Sequence, residues 1–125
     1  MTREKALICG VDIVKRIFRE LDPCMTIIFY KNDGDLVTAN TKIMALKGKT
    51  RALLSGERTA LNFLSYLSGI STLTHKYVKK VKPYPVQIMD TRKTTPGLRV
   101  LEKMAVRVGG GINHRFNLNE MAMIK

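Results

Sequence analysis

Apolar residues recur at two different periods along this chain, and the switches between them mark out its elements. Val11, Val14, Ile17, Phe18 and Leu21 repeat at helical spacing and predict a helix over 11–21. Asp22-Pro23 ends it, because the residue before a proline is pushed out of the helical region. Ahead of that helix, residues 6–10 suit a strand or a loop end. Residues 25–30 are rich in β-branched and aromatic side chains and predict a strand. Asn32-Asp33-Gly34-Asp35 is a turn with a glycine free to take positive φ, and further strands are expected over 36–39 and 42–46, with Gly48 closing the last. The opening third therefore reads as a helix with small antiparallel strands.

Helical spacing returns over residues 50–80. Leu53, Leu54, Leu61, Leu64 and Leu67 fall on one broad face, and no proline intervenes before Pro83. Gly56 and Gly69 weaken this helix locally, so a break is expected near Ser68-Gly69. After the Pro83-Tyr84-Pro85 linker, residues 86–89 suit a buried parallel strand. Residues 90–97 are polar and end in Pro96-Gly97, as a loop does. Leu98, Leu101, Ala105 and Val108 then share one face of a helix over 98–108, which Gly109-Gly110-Gly111 terminates. A further strand is expected over 121–124. Strand, loop, helix, loop, strand is one βαβ unit and implies a parallel sheet. No internal repeat or low-complexity tract interrupts this order.

Composition narrows the field. With 125 residues, 45% of them hydrophobic, the chain can pack a core for one domain or parts of two. Its 22 Lys and Arg against 10 Asp and Glu give a net charge of +12, which suits a polyanionic partner, either nucleic acid or a small molecule rich in phosphate and carboxylate. Lys76, Lys79, Lys80 and Lys82 read as a solvated helix end, where cations suit the dipole. Cys9 and Cys24 are the only cysteines and read as apolar packing in a reducing compartment. No secretory h-region or membrane-length apolar run is present, so an intracellular, cytoplasmic protein is expected.

In parallel α/β architectures, ligands gather at the carboxyl ends of strands. That rule points to Asp90, Thr91, Arg92 and Lys93. Arg offers a planar fork for a carboxylate or phosphate, and Lys a mobile point charge. A solvated loop, or an ion pair with Asp90, is the plainer alternative. His114-Arg115 follows three glycines, whose N–H groups could line an anion-binding concavity. Lys125 would end the next strand, while Glu57-Arg58 reads on spacing alone as an exposed helical charge pair. The phosphate-binding G-x-x-x-x-G-K-[ST] loop, the G-x-G-x-x-G fingerprint and zinc-ligand spacings do not occur.

Four strings carry a resemblance: residues 57–64 (Glu-Arg-Thr-Ala-Leu-Asn-Phe-Leu), 67–72 (Leu-Ser-Gly-Ile-Ser-Thr), 90–99 (Asp-Thr-Arg-Lys-Thr-Thr-Pro-Gly-Leu-Arg) and 109–115 (Gly-Gly-Gly-Ile-Asn-His-Arg). In this order and near this spacing the chain resembles the quinolinate phosphoribosyltransferases over nearly its whole length. The resemblance implies an α/β fold, part of an open-faced α/β sandwich over residues 1–70 and the start of an α/β barrel over residues 71–125. It implies transfer of a phosphoribosyl group from phosphoribosyl pyrophosphate to the ring nitrogen of quinolinate, with loss of pyrophosphate, aided by Mg²⁺, and of carbon dioxide. It also implies a homodimer or higher homo-oligomer.

Carried over by motif, Arg92, Arg115 and Lys125 would hold the carboxylates of quinolinate, with Thr91 and His114 beside them. Lys93 would face the phosphoribosyl group, and Lys93 and Lys125 would act electrostatically, with no residue as nucleophile. Arg58 would reach the neighbouring subunit's site. Ser71 stands where the family usually has alanine. A complete barrel enzyme needs about 250 residues, so a fragment without the metal-binding carboxylates is expected. Two other readings fit the sequence less well. A pyrophosphorylase-like protein of molybdenum transport shares the architecture, but the complete Arg and Lys set favours the quinolinate enzyme. A basic nucleic-acid-binding protein would need interleaved aromatic residues to stack bases, and aromatics make up only 6% of this chain.

Overall fold

The computed structural model describes residues 2–116. Helix α1 (Val11–Leu21) buries Val11, Val14 and Phe18 on the stripe expected of it. Its first turn is held by a side chain from elsewhere in the chain: Asp33 Oδ1, in the predicted turn, accepts the N–H groups of Gly10 and Val11, each at 2.9 Å. A carboxylate there satisfies otherwise unpaired donors and meets the positive end of the helix dipole. Asp22 leaves the helix in extended conformation, as its proline neighbour requires. Its buried carboxylate accepts Cys24 N at 3.1 Å and Lys49 N at 3.3 Å.

Four short strands surround α1: β1 (Ala6–Leu7), β2 (Thr26–Phe29), β3 (Leu36–Val37) and β4 (Met44–Lys47). They pair antiparallel, but not with their sequence neighbours: β1 joins β3, and β2 joins β4 in the register Ile28 to Ala45. Two of them are narrower or shifted relative to the expected strands over 36–39 and 42–46.

Helix α2 (Thr50–Val81) is the spine, about 48 Å long at 1.5 Å per residue. Two expectations about it are corrected. It runs through Ser68-Gly69 without a break. A helical glycine is about 1 kcal/mol less favourable than alanine, and the buried neighbours Leu67, Ser68 and Ser71 outweigh that by packing against β1 and α3. Nor do all five leucines lie on its buried face: Leu67 is buried and Leu53 and Leu64 pack partly buried against the core, but Leu54 is 69% exposed and Leu61 51%. The buried stripe is Ala52, Gly56, Ala60, Leu67, Ser68, Ser71 and Thr74, mostly small residues. The reason is close approach. A Cβ on Gly56 would lie 2.7 Å from Phe18 Cε1, so α1 crosses where α2 has no side chain.

The core lies along this spine. Val14, Phe18, Met25, Ala52 and Ala60 form one cluster, and Ile8, Val11, Val37 and Ile43 another under the strands. A third, Cys9 with Leu67 and Ala105, ties the opening segment to helix α3 (Arg99–Val108). Hydroxyls reinforce that junction. Ser68 Oγ accepts Cys9 N at 3.0 Å, Thr72 Oγ1 accepts Leu7 N at 2.8 Å, and Ser71 Oγ–H reaches Ala105 O at 2.9 Å. Burial, above all, pushes the Cys9 thiol up to about 11, so it stays a neutral packing group. Cys24 departs from the expected apolar packing, because it is exposed.

The predicted parallel strand at 86–89 survives only as a bridge between Met89 and Ile112. Asp90 N donates to Ile112 O at 3.1 Å, and Ile112 N donates to Ile88 O at 2.9 Å. Val86 and Met89 are exposed, where a buried strand was expected, because among the described residues Ile112 alone pairs with this segment. The second limb of the βαβ unit thus begins directly after the three glycines. The strand expected over 121–124 and Lys125 lie outside the described residues.

Candidate functional site

The parallel bridge brings two loops side by side, one carrying Thr91, Arg92 and Lys93 and the other carrying His114 and Arg115. Between them sits Asp90, at the end of the first limb. Its Oδ1 accepts Lys103 Nζ at 2.7 Å and His114 N at 2.7 Å. The same Lys103 ammonium donates to His114 O at 2.8 Å. With its amide nitrogen turned toward these acceptors, Asn113 donates to Asp90 Oδ2 at 3.0 Å and Lys103 O at 2.9 Å. Asp90 therefore pairs with Lys103 from α3, and not with Arg92 or Lys93 as the plainer reading of that loop allowed.

That leaves the cations of the first loop without a carboxylate partner among the described residues. Lys93 and Thr91 are exposed, and Arg92 is partly buried. Arg92 Nε is shielded from solvent and has no hydrogen-bond partner among the described residues. His114 and Arg115 are partly buried beside it in the chain's return path. The first loop is itself tightly folded. Thr91 Oγ1 accepts Lys93 N at 3.0 Å, and Arg92 O accepts Thr94 N at 3.0 Å. Arg99, at the start of α3, donates to Thr94 Oγ1 at 3.1 Å.

A second brace ties this loop to the spine. Tyr66 Oη donates to Glu102 Oε1 at 2.6 Å and lies 3.0 Å from Thr95 Oγ1, while Thr95 N donates to the same Glu102 oxygen at 3.1 Å. Partial burial raises the Glu102 carboxyl, but the hydrogen bonds from Tyr66 and Thr95 together outweigh it and hold the group below the usual carboxylate range.

The glycine run does different work from that expected. Its amides are already spent: Gly109 N donates to Ala105 O, Gly110 N to Arg107 O and Gly111 N to Val106 O. They do not form an anion-binding concavity. The glycines serve close packing, since a Cβ on Gly109 would lie 2.6 Å from Thr74 Cβ and 2.7 Å from Ser71 O. Lys103, Asn113, Tyr66 and Glu102 were missed in the sequence. A lysine inside an amphipathic helix and an aspartate thirteen residues earlier carry no spacing signal that they are partners.

Arg58 stands apart. It is exposed on α2 and forms no ion pair with Glu57 among the described residues. Tyr66, the braced residue on the same helix, is about 12 Å further along the axis at 1.5 Å per residue. For Mg²⁺ the described residues do not fit, because Asp90 is the only carboxylate between the two loops and both its oxygens are engaged. No helix among them is long and apolar enough to cross a membrane.

Comparison with known proteins follows the same outline. Residues 1–68 match the N-terminal domain of quinolinate phosphoribosyl transferase, and residues 70–125 match its C-terminal domain. A Synechocystis protein named "Probable nicotinate-nucleotide pyrophosphorylase (carboxylating)" is 46% identical over 125 residues, covering 100% of this chain and 42% of its own length. A Nicotiana tabacum protein named quinolinate phosphoribosyltransferase (decarboxylating) 2b, mitochondrial, is 41% identical over 100% of this chain and 35% of its own. Among solved structures, the nicotinate-nucleotide pyrophosphorylase from Francisella tularensis superposes with a TM-score of 0.91 at 45% identity, over 94% of this chain and 42% of that one. The chain thus spans about two fifths of the length of relatives that share its fold.

Proposed function

The chain belongs to the quinolinate phosphoribosyltransferase family, and on that premise we propose that it supplies the dicarboxylate-binding part of an enzyme that converts quinolinate and phosphoribosyl pyrophosphate to nicotinate mononucleotide, pyrophosphate and carbon dioxide. The observation that carries the reading is Arg92 Nε, a desolvated donor with no hydrogen bond among the described residues, at the end of a βα limb beside His114-Arg115. A buried, unmatched N–H is unfavourable by about 1–3 kcal/mol, and an anionic ligand removes that penalty.

In this proposal Arg92 and Arg115 each present a fork to a carboxylate, and Lys125 adds a third cation to the dicarboxylate. Thr91 and His114 lie beside them. The positive field orients the ring so that its nitrogen faces the anomeric carbon, and it stabilises the negative charge left on the ring carbon as carbon dioxide departs. Lys93, exposed on the same loop, faces the phosphoribosyl group. Nothing here acts as a nucleophile. Mg²⁺ would assist departure of the pyrophosphate when bound, and the described residues provide no ligands for it. Arg58, remote from its own loops, serves the site of a second copy in a homodimer. A cytoplasmic setting belongs to the proposal as well.

The test joins residues 1–125 to the remainder of the Synechocystis relative and assays the purified full-length chimera for nicotinate mononucleotide. Formation of product from quinolinate and phosphoribosyl pyrophosphate is expected. A well-folded chimera that binds neither compound would overturn the reading.

A further inference from the structure

Lys103 lies outside every motif that carries the family resemblance, yet it is among the most deeply buried charges described, with a side chain 3% exposed. A lysine so placed is unfavourable unless its three donors and its charge are matched. Two matches come from different limbs of the βαβ unit: Asp90 Oδ1, one residue before the Thr91–Lys93 loop, and His114 O, at the entry to Arg115. His114 N returns to the same Asp90 oxygen, and Asn113 closes the ring through Asp90 Oδ2 and Lys103 O. One ammonium and one carboxylate thereby hold both loops.

We infer that Lys103 is a positioning residue: through Asp90 and the His114 carbonyl it sets the separation of Arg92 and Arg115, and so the span of dianion the site accepts. The inference rests on the proposed function for its ligand, but the clamp itself is a property of this chain. Without Lys103, the described links between the loops are the bridge at Met89 and Ile112 and the bonds from His114 N and Asn113 to an Asp90 whose charge is then unpaired, which fix the spacing of two mutually repelling arginines poorly. With it, the pair is neutral overall and adds no net charge to the pocket, leaving the anion-binding charge to the loop residues.

The experiment uses the full-length chimera with Lys103→Met, which keeps the length of the side chain and removes its charge. Asp90→Asn, which removes the charge of the pair but keeps an acceptor for His114 N, is the second variant should the first fail to fold. Val14→Ala, a cavity in the α1 core far from the loops, is the control for stability alone. Hydrogen exchange read by mass spectrometry should show protection falling in 90–97 and 112–116 together for the two clamp variants and in neither loop for Val14→Ala. The quinolinate KM should rise about tenfold or more, and that of phosphoribosyl pyrophosphate by less than about threefold. Unchanged protection in both loops, or equal rises in the two KM values, would overturn the assignment. A parent chimera that makes no product sinks the functional reading only, since the exchange measurement still decides whether Lys103 fastens the loops.

Discussion

Lys103 Nζ lies 2.7 Å from Asp90 Oδ1, with both side chains less than a tenth exposed, and this ion pair ties α3 to the end of the first limb of the βαβ unit. The carboxylate that could have neutralised Arg92 is engaged by a lysine from α3. Under the proposed function, Arg92 and Lys93, which pair with no carboxylate among the described residues, meet an external anion. Several measurements follow from this division of roles.

Arg92→Lys and Arg115→Lys in the full-length chimera should both weaken quinolinate binding, because an ammonium cannot form two parallel hydrogen bonds to one carboxylate. Losing part of a charge-assisted pair should be worth about 1.5–3 kcal/mol, or roughly one to two orders of magnitude in Kd by calorimetry. Unaltered affinity in both variants removes these residues from the site.

Arg58 is tested by complementation. An inactive Arg58→Ala chimera mixed with an inactive Arg92→Ala chimera should regain some activity, since hybrid dimers hold one site with both arginines intact. If subunit exchange is shown independently and no activity returns, Arg58 is a surface residue of α2.

Two glycines should respond in opposite directions to the same change. At Gly69 an added Cβ meets nothing within 4 Å, so Gly69→Ala should stabilise by about 0.4–1 kcal/mol through lower unfolded-chain entropy and better helix propensity. At Gly109 the same Cβ meets Thr74 and the Ser71 carbonyl, and overpacking of about 1–3 kcal/mol outweighs that gain. Thermal melts of the two variants decide it. A stabilised Gly109→Ala would show that α3 does not pack on α2 as described.

Ser71→Ala restores the residue usual in the family and deletes the hydroxyl that bridges Leu67 O and Ala105 O. The single O–H proton shared between these two carbonyls is lost, so the melt should fall by the equivalent of about 0.5–1.5 kcal/mol while quinolinate affinity stays unchanged. A loss of affinity without a loss of stability would contradict this separation.

The Glu102 brace should appear as a pH dependence. Its folded carboxyl titrates below the ordinary range, so its stabilising contribution is present above the unfolded value, near 4.5, and is lost as pH falls through the lower folded one. Tyr66→Phe removes one of the hydrogen bonds responsible. The stability gap between parent and variant, from urea melts, should therefore narrow as pH drops below about 4.5. A gap that does not depend on pH would mean that Tyr66 does not act through this carboxylate.

Local pattern was enough to specify much of this chain. The spacing of Val11, Val14 and Phe18 and the Asp22-Pro23 stop define α1 at both ends, because periodicity and proline chemistry act over a few residues. The same holds for the loop after residue 89 and for the family strings that single out Arg58, Arg92, Lys93, His114 and Arg115. What local pattern could not supply was anything decided by a neighbour distant in sequence. Gly69 looks like a helix break until Leu67 and Ser71 are seen packed on β1 and α3. Leu54 and Leu61 look like core positions of α2 until Phe18 is seen to require the flat surface at Gly56. The glycine run looks like an anion cradle until its amides are found bonded to α3. Lys103 and Asp90 become partners only when the βαβ crossing brings them together. Burial then makes that pairing necessary, because neither charge is tolerable alone away from water.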